Sequence, residues 1–379
     1  MRPSVQRMRP SPIEIPQADI DDLRDRLART RLADAVTGDW DRGVPRDHLA
    51  DLIGYWADRF DWRAQERVLN GFGPTETEID GQRIHFLHVR SAEPDALPLL
   101  ITHGYPSSVA EFTKLIDPLV NPKQPGDAFH VVVPSLPGYG LSTPLAEPGW
   151  QVARTARAWI ELMRRLGYER YGTHGGDIGA GIAGMVGGLD REHVVGVHVV
   201  TDVSGAAMSA GTFVPVDLAA LSEDEKAHLA ALKERSAGGG GYLQLQSTRP
   251  QTVGYGLVDS PAFQLAWIAE KVKEWTQEPV DVDQLLTNVA LYWFPGAGWS
   301  AANFLYEAAH SYDWGDGATH PHQGWAMFGG KDPLIGKLFN ADGKIGHWTE
   351  YDEGGHFPAM ECPQLLAEDL RAFFRPFRK

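Results

Sequence analysis

The sequence predicts an α/β fold in which a mostly parallel β-sheet is covered by helices on both faces. Two observations lead to this prediction. Short apolar runs typical of buried strands alternate with helical segments, and one strand ends in the glycine-rich turn Gly175-Gly176-Asp177-Ile178-Gly179 before a helix rich in small residues. A helix-rich interval, 201–309, interrupts the alternation. It indicates an inserted lid above the carboxyl ends of the strands, where α/β proteins bind ligands.

The elements follow from the spacing of apolar residues. Two amphipathic helices are predicted over 19–31 and 47–60. Two short strands, 77–79 and 83–89, flank Asp80-Gly81, a dipeptide that favours a hairpin turn. Further strands are predicted at 97–102, 129–133, 170–173, 194–200, 325–328 and 347–351. The chain then divides into an N-terminal helical segment (1–75), a first core part (76–200), a helical lid (201–309) and a second core part (310–379).

Composition restricts the class of protein. A chain of 379 residues that is 43% hydrophobic can bury a large core. Its net charge of −15 argues against nucleic acid or an anionic membrane as a partner. No apolar run approaches membrane-spanning length, so we expect no membrane anchor. The single cysteine, Cys362, fits a reducing compartment, and a cytoplasmic location is expected.

Asp177 lies where a nucleophile elbow carries its reactive side chain. The surrounding glycines give the small-x-nucleophile-x-small pattern of a strand that turns sharply into a helix. An aspartate there points to a covalent ester formed by attack on carbon, because a carboxylate is a poor nucleophile toward amides and ordinary esters. The alternative is that Asp177 only caps the following helix.

Two other segments favour catalysis over capping. His103-Gly104-Tyr105-Pro106 follows a predicted central strand and would supply one backbone N–H of an oxyanion hole, at Tyr105, while Ile178 supplies the second. Gly354-Gly355-His356-Phe357 places a histidine near the end of the chain, far after the nucleophile, which is the hydrolase order.

A histidine base needs a carboxylate to fix its tautomer. We predict Asp332, which follows the apolar strand 325–328, for this role; the alternative is a Lys331-Asp332-Pro333 turn on the surface.

His320 and His322 could suggest a metal, but two ligands without a third do not make a site, and none is predicted.

Taken together, these segments resemble epoxide hydrolases of the microsomal type, within the α/β-hydrolase superfamily, along nearly the whole chain. The resemblance extends to further stretches: Ile15-Pro16-Gln17, Phe86-Leu87-His88-Val89, Pro134-Ser135-Leu136-Pro137-Gly138-Tyr139-Gly140-Leu141-Ser142, Gln246-Ser247-Thr248-Arg249-Pro250, Asp259-Ser260-Pro261 and Leu286-Thr287-Asn288-Val289. It implies an α/β-hydrolase fold with a helical lid and an N-terminal helical segment that wraps around core and lid.

The resemblance also implies roles for individual residues. Asp177 would be the nucleophile, His356 the base with an acid near Asp332, and two lid tyrosines would donate to the epoxide oxygen. Tyr242 matches the first tyrosine. The second would fall on Leu305, with Tyr306 one residue further, and the acid is also displaced by one residue. We predict that Tyr306 nonetheless takes part.

The expected activity is therefore epoxide hydrolysis, without a cofactor, with a small hydrophobic epoxide and water as reactants. Trp267, Tyr292 and Trp299 could line the pocket, although a single aromatic residue of this kind more often belongs to the core. Two other functions stay open: haloalkane dehalogenation, disfavoured because Ile178 stands where that chemistry uses a tryptophan, and a silent ligand-binding role. A homodimer is also left open. The resemblance includes bacterial natural-product enzymes, among them those of enediyne pathways.

Overall fold

The structure is a computed structural model that describes residues 8–212, 214, 216–311 and 319–378. The first seven residues of the predicted N-terminal segment and residues 312–318 of the predicted second core part lie outside the described residues, as do residues 213, 215 and 379.

One sheet of nine strands forms the centre of the described chain, in the order β1-β2-β3-β5-β4-β6-β7-β8-β9. The strands are β1 (Arg9–Pro10), β2 (Pro74–Ile79), β3 (Gln82–Val89), β4 (Leu97–Thr102), β5 (Phe129–Pro134), β6 (Tyr171–Gly176), β7 (Val194–Asp202), β8 (Gln323–Phe328) and β9 (His347–Glu350). The pairs among β4 to β9 are parallel, and β1, β2 and β3 add an antiparallel edge. The predicted mostly parallel sheet is confirmed, as is the hairpin at Asp80-Gly81.

Sixteen α-helices are described around this sheet. They are α1 (Gln17–Ala28), α2 (Arg46–Asp58), α3 (Trp62–Gly71), α4 (Thr113–Val120), α5 (Val152–Arg165), α6 (Ile178–Leu189), α7 (Val203–Ser209), α8 (Glu223–Ala237), α9 (Gly241–Gln246), α10 (Pro250–Asp259), α11 (Pro261–Trp275), α12 (Val282–Trp293), α13 (Ala297–Ala309), α14 (Pro333–Asn340), α15 (Pro358–Glu361) and α16 (Pro363–Phe374). The sequence did not predict α3 or β1.

Helices cover both faces of the sheet. Gly196 of β7 packs against Phe373 of α16, whereas the next residue, Val197, packs against Gly187 of α6. Because successive side chains of a strand point to opposite faces, α6 and α16 lie on opposite sides of the sheet.

Helices α7 to α13 follow β7 and precede β8, so the helix-rich interval predicted as a lid is a single insertion between two adjacent parallel strands. The N-terminal helices contact this insertion: α1 and α2 pack against α11, and α3 packs against both α12 and β2. The hydroxyl of Tyr55 in α2 donates to Asp283 in α12 at 2.9 Å. The division of the chain at 75, 200 and 309 stays a prediction. Across the described residues, no helix is both long and apolar enough to cross a membrane.

Candidate active site

Asp177 lies at the sharp turn between β6 and α6. Its backbone has φ 54° and ψ −134°, a region that costs free energy for a residue with a side chain and is characteristic of functional turns. The turn leaves no space around it: a Cβ on Gly104 would lie 2.4 Å from the Asp177 side chain, and one on Gly179 would lie 2.2 Å from the Thr102 carbonyl oxygen. The Asp177 side chain makes no capping hydrogen bond to α6, so the alternative of a simple helix cap does not hold.

Both predicted oxyanion-hole donors face Asp177. The backbone N–H of Tyr105 donates to Oδ1 at 2.9 Å, and the N–H of Ile178 stabilises the same carboxylate. The carboxylate therefore has Oδ1 held by the Tyr105 N–H, while the other oxygen, Oδ2, faces His356. This arrangement orients the side chain before any substrate binds.

His356 joins two carboxylates. Its Nδ1 lies 2.9 Å from Oδ2 of Asp202, and its Nε2 lies 3.5 Å from Oδ2 of Asp177. Nε2 has no hydrogen-bond partner among the described residues. The loop that carries His356 is held by the lid, since the backbone N–H of His356 donates to the Trp275 carbonyl oxygen at 2.8 Å. The ring thus presents one nitrogen to Asp202 and keeps the other available for proton transfer.

The carboxylate partner of His356 is Asp202, and the prediction of Asp332 was wrong. Asp202 is the last residue of β7, the strand beside β6 in the sheet, so parallel pairing brings it to the same edge as Asp177. Its Oδ1 accepts the Gly205 N–H at 2.7 Å, which fixes the side chain at the start of α7. In the sequence, Asp202 lacks the glycines that draw attention to a functional turn. Its position at the end of an apolar strand was the signal that could have identified it.

Asp332 has a different role. It caps α14: its Oδ1 accepts the N–H groups of Leu334 and Ile335, at 2.9 and 3.4 Å. Its Oδ2 lies 2.8 Å from Nε2 of His228 in the lid helix α8. The Lys-Asp-Pro sequence forms the helix cap that this composition favours, and both carboxylate oxygens of Asp332 are engaged there.

The two carboxylates and the imidazole shift one another's pKa values. Burial by itself raises the pKa of Asp177, but the neighbouring His356 and the two backbone donors outweigh it, so the pKa is lowered. Asp202 behaves in the same way, with burial opposed by His356 and by the Gly205 and Ser204 N–H groups. Burial would lower the pKa of His356, yet the two carboxylates raise it to about 10. The resting site therefore holds an imidazolium between two carboxylate anions.

Aromatic side chains surround the nucleophile. Tyr242, from the short helix α9, stacks on the Tyr105 ring at 5.4 Å with 5° between the planes. Burial and then the Asp177 charge raise the pKa of Tyr242, so its phenol stays protonated and can donate. Two of the predicted pocket residues also lie here: Trp267 donates its Nε1–H to the Tyr105 hydroxyl at 2.7 Å, and the Tyr292 ring lies 6.4 Å from that of Tyr105.

The structure does not bring Tyr306 or Trp299 to this cluster, and both predictions were wrong. On α13, the Phe304 ring packs 5.6 Å from Tyr139, which lies beside Tyr105. Residues two apart on a helix point about 200 degrees apart, so Tyr306 faces away, where its ring stacks on His310 at 4.1 Å. Trp299 packs on Gly254 within the lid and donates to Gln251 at 2.8 Å.

The histidine pair weighed for a metal is engaged with the backbone. Nε2 of His320 lies 3.0 Å from the Val194 carbonyl oxygen, and its Nδ1 lies 3.1 Å from the backbone N of His322.

The chemistry that the Asp177 site can perform is nucleophilic attack by a fixed carboxylate, followed by histidine-assisted attack of water on the resulting ester.

Comparisons with known proteins agree with this fold. A model described as "Epoxide hydrolase N terminus" matches residues 8–112, and one described as "alpha/beta hydrolase fold" matches residues 98–225. A Stigmatella aurantiaca protein, provisionally named an epoxide hydrolase, is 41% identical over 97% of this chain and 85% of its own length. Epoxide hydrolase 1 of Sus scrofa is 32% identical over 97% of this chain and 88% of its own.

Solved structures give the same result. The juvenile hormone epoxide hydrolase of Bombyx mori superposes with a TM-score of 0.84 at 27% identity, covering 98% of this chain and 95% of that one. The epoxide hydrolase of Aspergillus niger superposes with a TM-score of 0.81 at 30% identity, covering 99% and 98%.

The fold and the arrangement at Asp177 define an α/β-hydrolase whose elbow carries a carboxylate. The sequence identity to the relatives above, over nearly the full length of each, identifies the family within this class. It belongs to the epoxide hydrolase family, and it is a hydrolase with the lid insertion and N-terminal helices that the resemblance implied.

Proposed function

We propose that this protein converts an epoxide to a vicinal diol through an ester formed on Asp177. The observation that carries the proposal is the orientation of the Asp177 carboxylate: Oδ1 is bound by the Tyr105 N–H at 2.9 Å, while Oδ2 lies 3.5 Å from His356, whose other nitrogen is paired with Asp202. The two oxygens are therefore already distinguished as a future carbonyl oxygen and an attacking oxygen. The names of the relatives support an epoxide as the substrate.

In the first step, Oδ2 of Asp177 forms a bond to one ring carbon of the epoxide, and the bond from that carbon to the ring oxygen breaks. Tyr242 gives its proton to the oxygen as it leaves, a role suited to a phenol beside a developing alkoxide. Its ring stacks 5.4 Å from that of Tyr105, whose backbone N–H binds Asp177, and the Asp177 charge acts on the Tyr242 phenol. The product of this step is a hydroxyalkyl ester of Asp177.

In the second step, His356 takes a proton from water, and the hydroxide attacks Cγ of Asp177. The negative charge then develops on Oδ1, which already accepts the Tyr105 N–H at 2.9 Å, and the Ile178 N–H also stabilises this carboxylate. The bond between Cγ and Oδ2 breaks, and Oδ2 takes the proton that His356 removed from water. The diol therefore leaves with an oxygen of the original carboxylate, and the water oxygen stays in Asp177.

The first step prepares His356 for the second. In the resting site, two carboxylates raise the pKa of His356 to about 10. Conversion of Asp177 to a neutral ester removes one of those charges, so the pKa of His356 falls. The imidazolium can then lose its proton, which restores the Tyr242 phenol left deprotonated by the first step, and the neutral imidazole acts as a base. Asp202 remains to orient the ring through Nδ1.

The pocket walls favour an apolar substrate, since Tyr105, Tyr242, Trp267 and Tyr292 surround the nucleophile with aromatic surface. We expect a small hydrophobic epoxide. The cytoplasmic location, a homodimer and a place in natural-product metabolism stay predictions.

The test uses styrene oxide as the probe, with diol formation followed by mass spectrometry. A single turnover in water enriched in heavy oxygen should give unlabelled diol and labelled Asp177, and Asp177→Asn should form no diol. Labelled diol in the first turnover would contradict the ester. If styrene oxide gives no diol while a haloalkane releases chloride, the activity belongs to the dehalogenation class.

A further inference from the structure

Tyr139 is a buried polar group near Asp177 that the mechanism above does not use. It lies in the loop after β5, between Gly138 and Gly140, whose φ angles of 84° and 46° suit glycine. The loop is held to the strand end that carries the oxyanion hole, because the Leu136 N–H donates to Nε2 of His103 at 3.1 Å. The ring of Tyr139 is fully buried, and its hydroxyl has no hydrogen-bond partner among the described residues.

The surroundings of Tyr139 are those of the reacting carboxylate. Its ring lies 6.4 Å from that of Tyr105, whose backbone N–H binds Asp177, and 5.4 Å from that of His103. Burial raises the pKa of Tyr139 well above 10, and the neighbouring Tyr105, Asp177 and Tyr242 raise it further. The phenol is thus a protonated donor in the same electrostatic environment as the nucleophile and Tyr242.

Two other buried tyrosines of this cluster have hydroxyl partners. The Tyr105 hydroxyl accepts the Trp267 Nε1–H at 2.7 Å, and the Tyr292 hydroxyl donates to the Ser107 carbonyl oxygen at 2.7 Å. A buried hydroxyl without a partner is costly, because burial removes its hydrogen bonds to water and nothing replaces them. Such groups are rare in native proteins, and a ligand that supplies the missing acceptor is a physical reason to keep one.

We propose that Tyr139 donates its O–H to the epoxide oxygen together with Tyr242, in the place that Tyr306 was expected to fill. The inference rests on the proposed function. As the Asp177 Oδ2 bond to carbon forms and the ring bond breaks, the oxygen gains negative charge, and two donors share it. Tyr242 transfers its proton, while Tyr139 keeps its own and stabilises the oxygen by a hydrogen bond. One donor comes from the lid and one from the core, so ring opening depends on closure of the two parts over the substrate.

The experiment isolates ring opening in the His356→Gln background, where the ester should accumulate and can be measured by intact mass. With styrene oxide, Tyr139→Phe should slow adduct formation by about tenfold to a thousandfold, the range of one general-acid or oxyanion hydrogen bond. Tyr306→Phe, the matched control, should leave the rate within about twofold. Tyr139→Phe combined with Tyr242→Phe should form almost no adduct.

If Tyr139 only supported the fold, Tyr139→Phe would lower the thermal stability of the protein. Removing a hydroxyl that has no partner should leave the thermal midpoint of Tyr139→Phe unchanged or higher, whereas Tyr292→Phe, which loses its bond to Ser107, should be less stable. An unchanged adduct rate in Tyr139→Phe overturns the inference. If the His356→Gln protein itself forms no adduct, the proposed function fails instead, so the two failures are distinguishable.

Discussion

Among the residues that the structure describes, aspartate and histidine are paired at two buried places, around His356 and around His198, and the first is the one arranged for chemistry. At the active site, Asp202 binds Nδ1 of His356 at 2.9 Å, and Nε2 of that ring has no hydrogen-bond partner among the described residues. Deeper in the core, Asp369 of α16 lies 2.7 Å from Nε2 of His198, and Nδ1 of His198 lies 3.0 Å from Nδ1 of His174.

The second pair is fully engaged. The Asp369 carboxylate also lies 3.1 Å from Nε2 of His347 and accepts from the hydroxyls of Thr349 and Tyr351 at 2.8 and 2.7 Å. The ligand atoms of His198, His347 and Asp369 lie within 4.8 Å of one another, a spacing that could hold a metal ion. Direct hydrogen bonds already satisfy these atoms, and we interpret the group as a structural network.

The comparison shows what an Asp–His pair needs for proton transfer: one ring nitrogen of the histidine must have no hydrogen-bond partner and must face a reactive group. The electrostatics differ in the same sense. Burial lowers the pKa of His174 well below 6.5, so it stays neutral, whereas Asp177 and Asp202 overcome burial and raise the pKa of His356 to about 10. The two pairs contain the same residue types. They differ in position, because the His356 pair lies at the carboxyl ends of the strands.

The largest expected effect is on the base. His356→Gln should lower steady-state turnover of styrene oxide by roughly four orders of magnitude, because hydrolysis of the ester loses its base. Ring opening should persist, so a mass increase of one substrate should appear on the peptide that contains Asp177. Turnover near the wild-type rate, with no adduct, would show that His356 is not the base.

The next prediction separates the two carboxylates proposed as partners of His356. Asp202→Asn should reduce hydrolysis of the ester by about a thousandfold or more, since the amide can hold the wrong imidazole tautomer. Asp332→Asn, the matched control, should change the rate by less than about tenfold, because Asp332 caps α14 and meets His228. Rapid-quench measurement of ester hydrolysis compares them, and a reversed order would restore Asp332 as the acid.

The core pair should respond in stability rather than in rate. Asp369→Asn leaves the surrounding donors without their shared anion, and we expect a loss of about 3 kcal/mol in the free energy of unfolding. The fraction that stays folded should keep its rate of ester formation. Chemical denaturation with active-site titration measures both quantities. A large loss in the rate of ester formation per folded site would contradict this prediction. It would mean that the hydrogen bonds around Asp369 also help to position Asp177, through β6.

The smallest effect concerns pH. The pKa of His356 is raised from 6.5 to about 10, so its pairing contributes stability that is present below pH 6.5 and is lost as the pH rises toward 10. In Asp177→Asn one of the two carboxylates is gone, and the decline in stability across this interval should be shallower. Unfolding by urea at a series of pH values measures the slope. Equal slopes in both proteins would indicate that Asp177 does not hold the charged imidazole.

The sequence by itself determined the parts of this protein that depend on local pattern. The alternation of apolar strands and helices predicted the sheet, and the small residues around Asp177 predicted the elbow, since a Cβ on Gly175 or Gly179 would lie 2.2 Å from a backbone oxygen. Tyr105 was predicted as an oxyanion donor from the loop after a central strand, and Ile178 from its position directly after Asp177. These features arise from backbone geometry over a few residues, which a sequence records directly.

Only the tertiary structure decided which distant side chains meet. Asp202 and Asp332 both follow apolar strands, yet the order of strands in the sheet puts Asp202 against His356, while Asp332 is taken by the first turn of α14. Tyr306 and Phe304 are two positions apart on one helix, and the packing of that helix turned Phe304 toward Tyr139 and Tyr306 away. Such contacts depend on how whole elements are placed, and residue spacing along the chain carries little information about that placement.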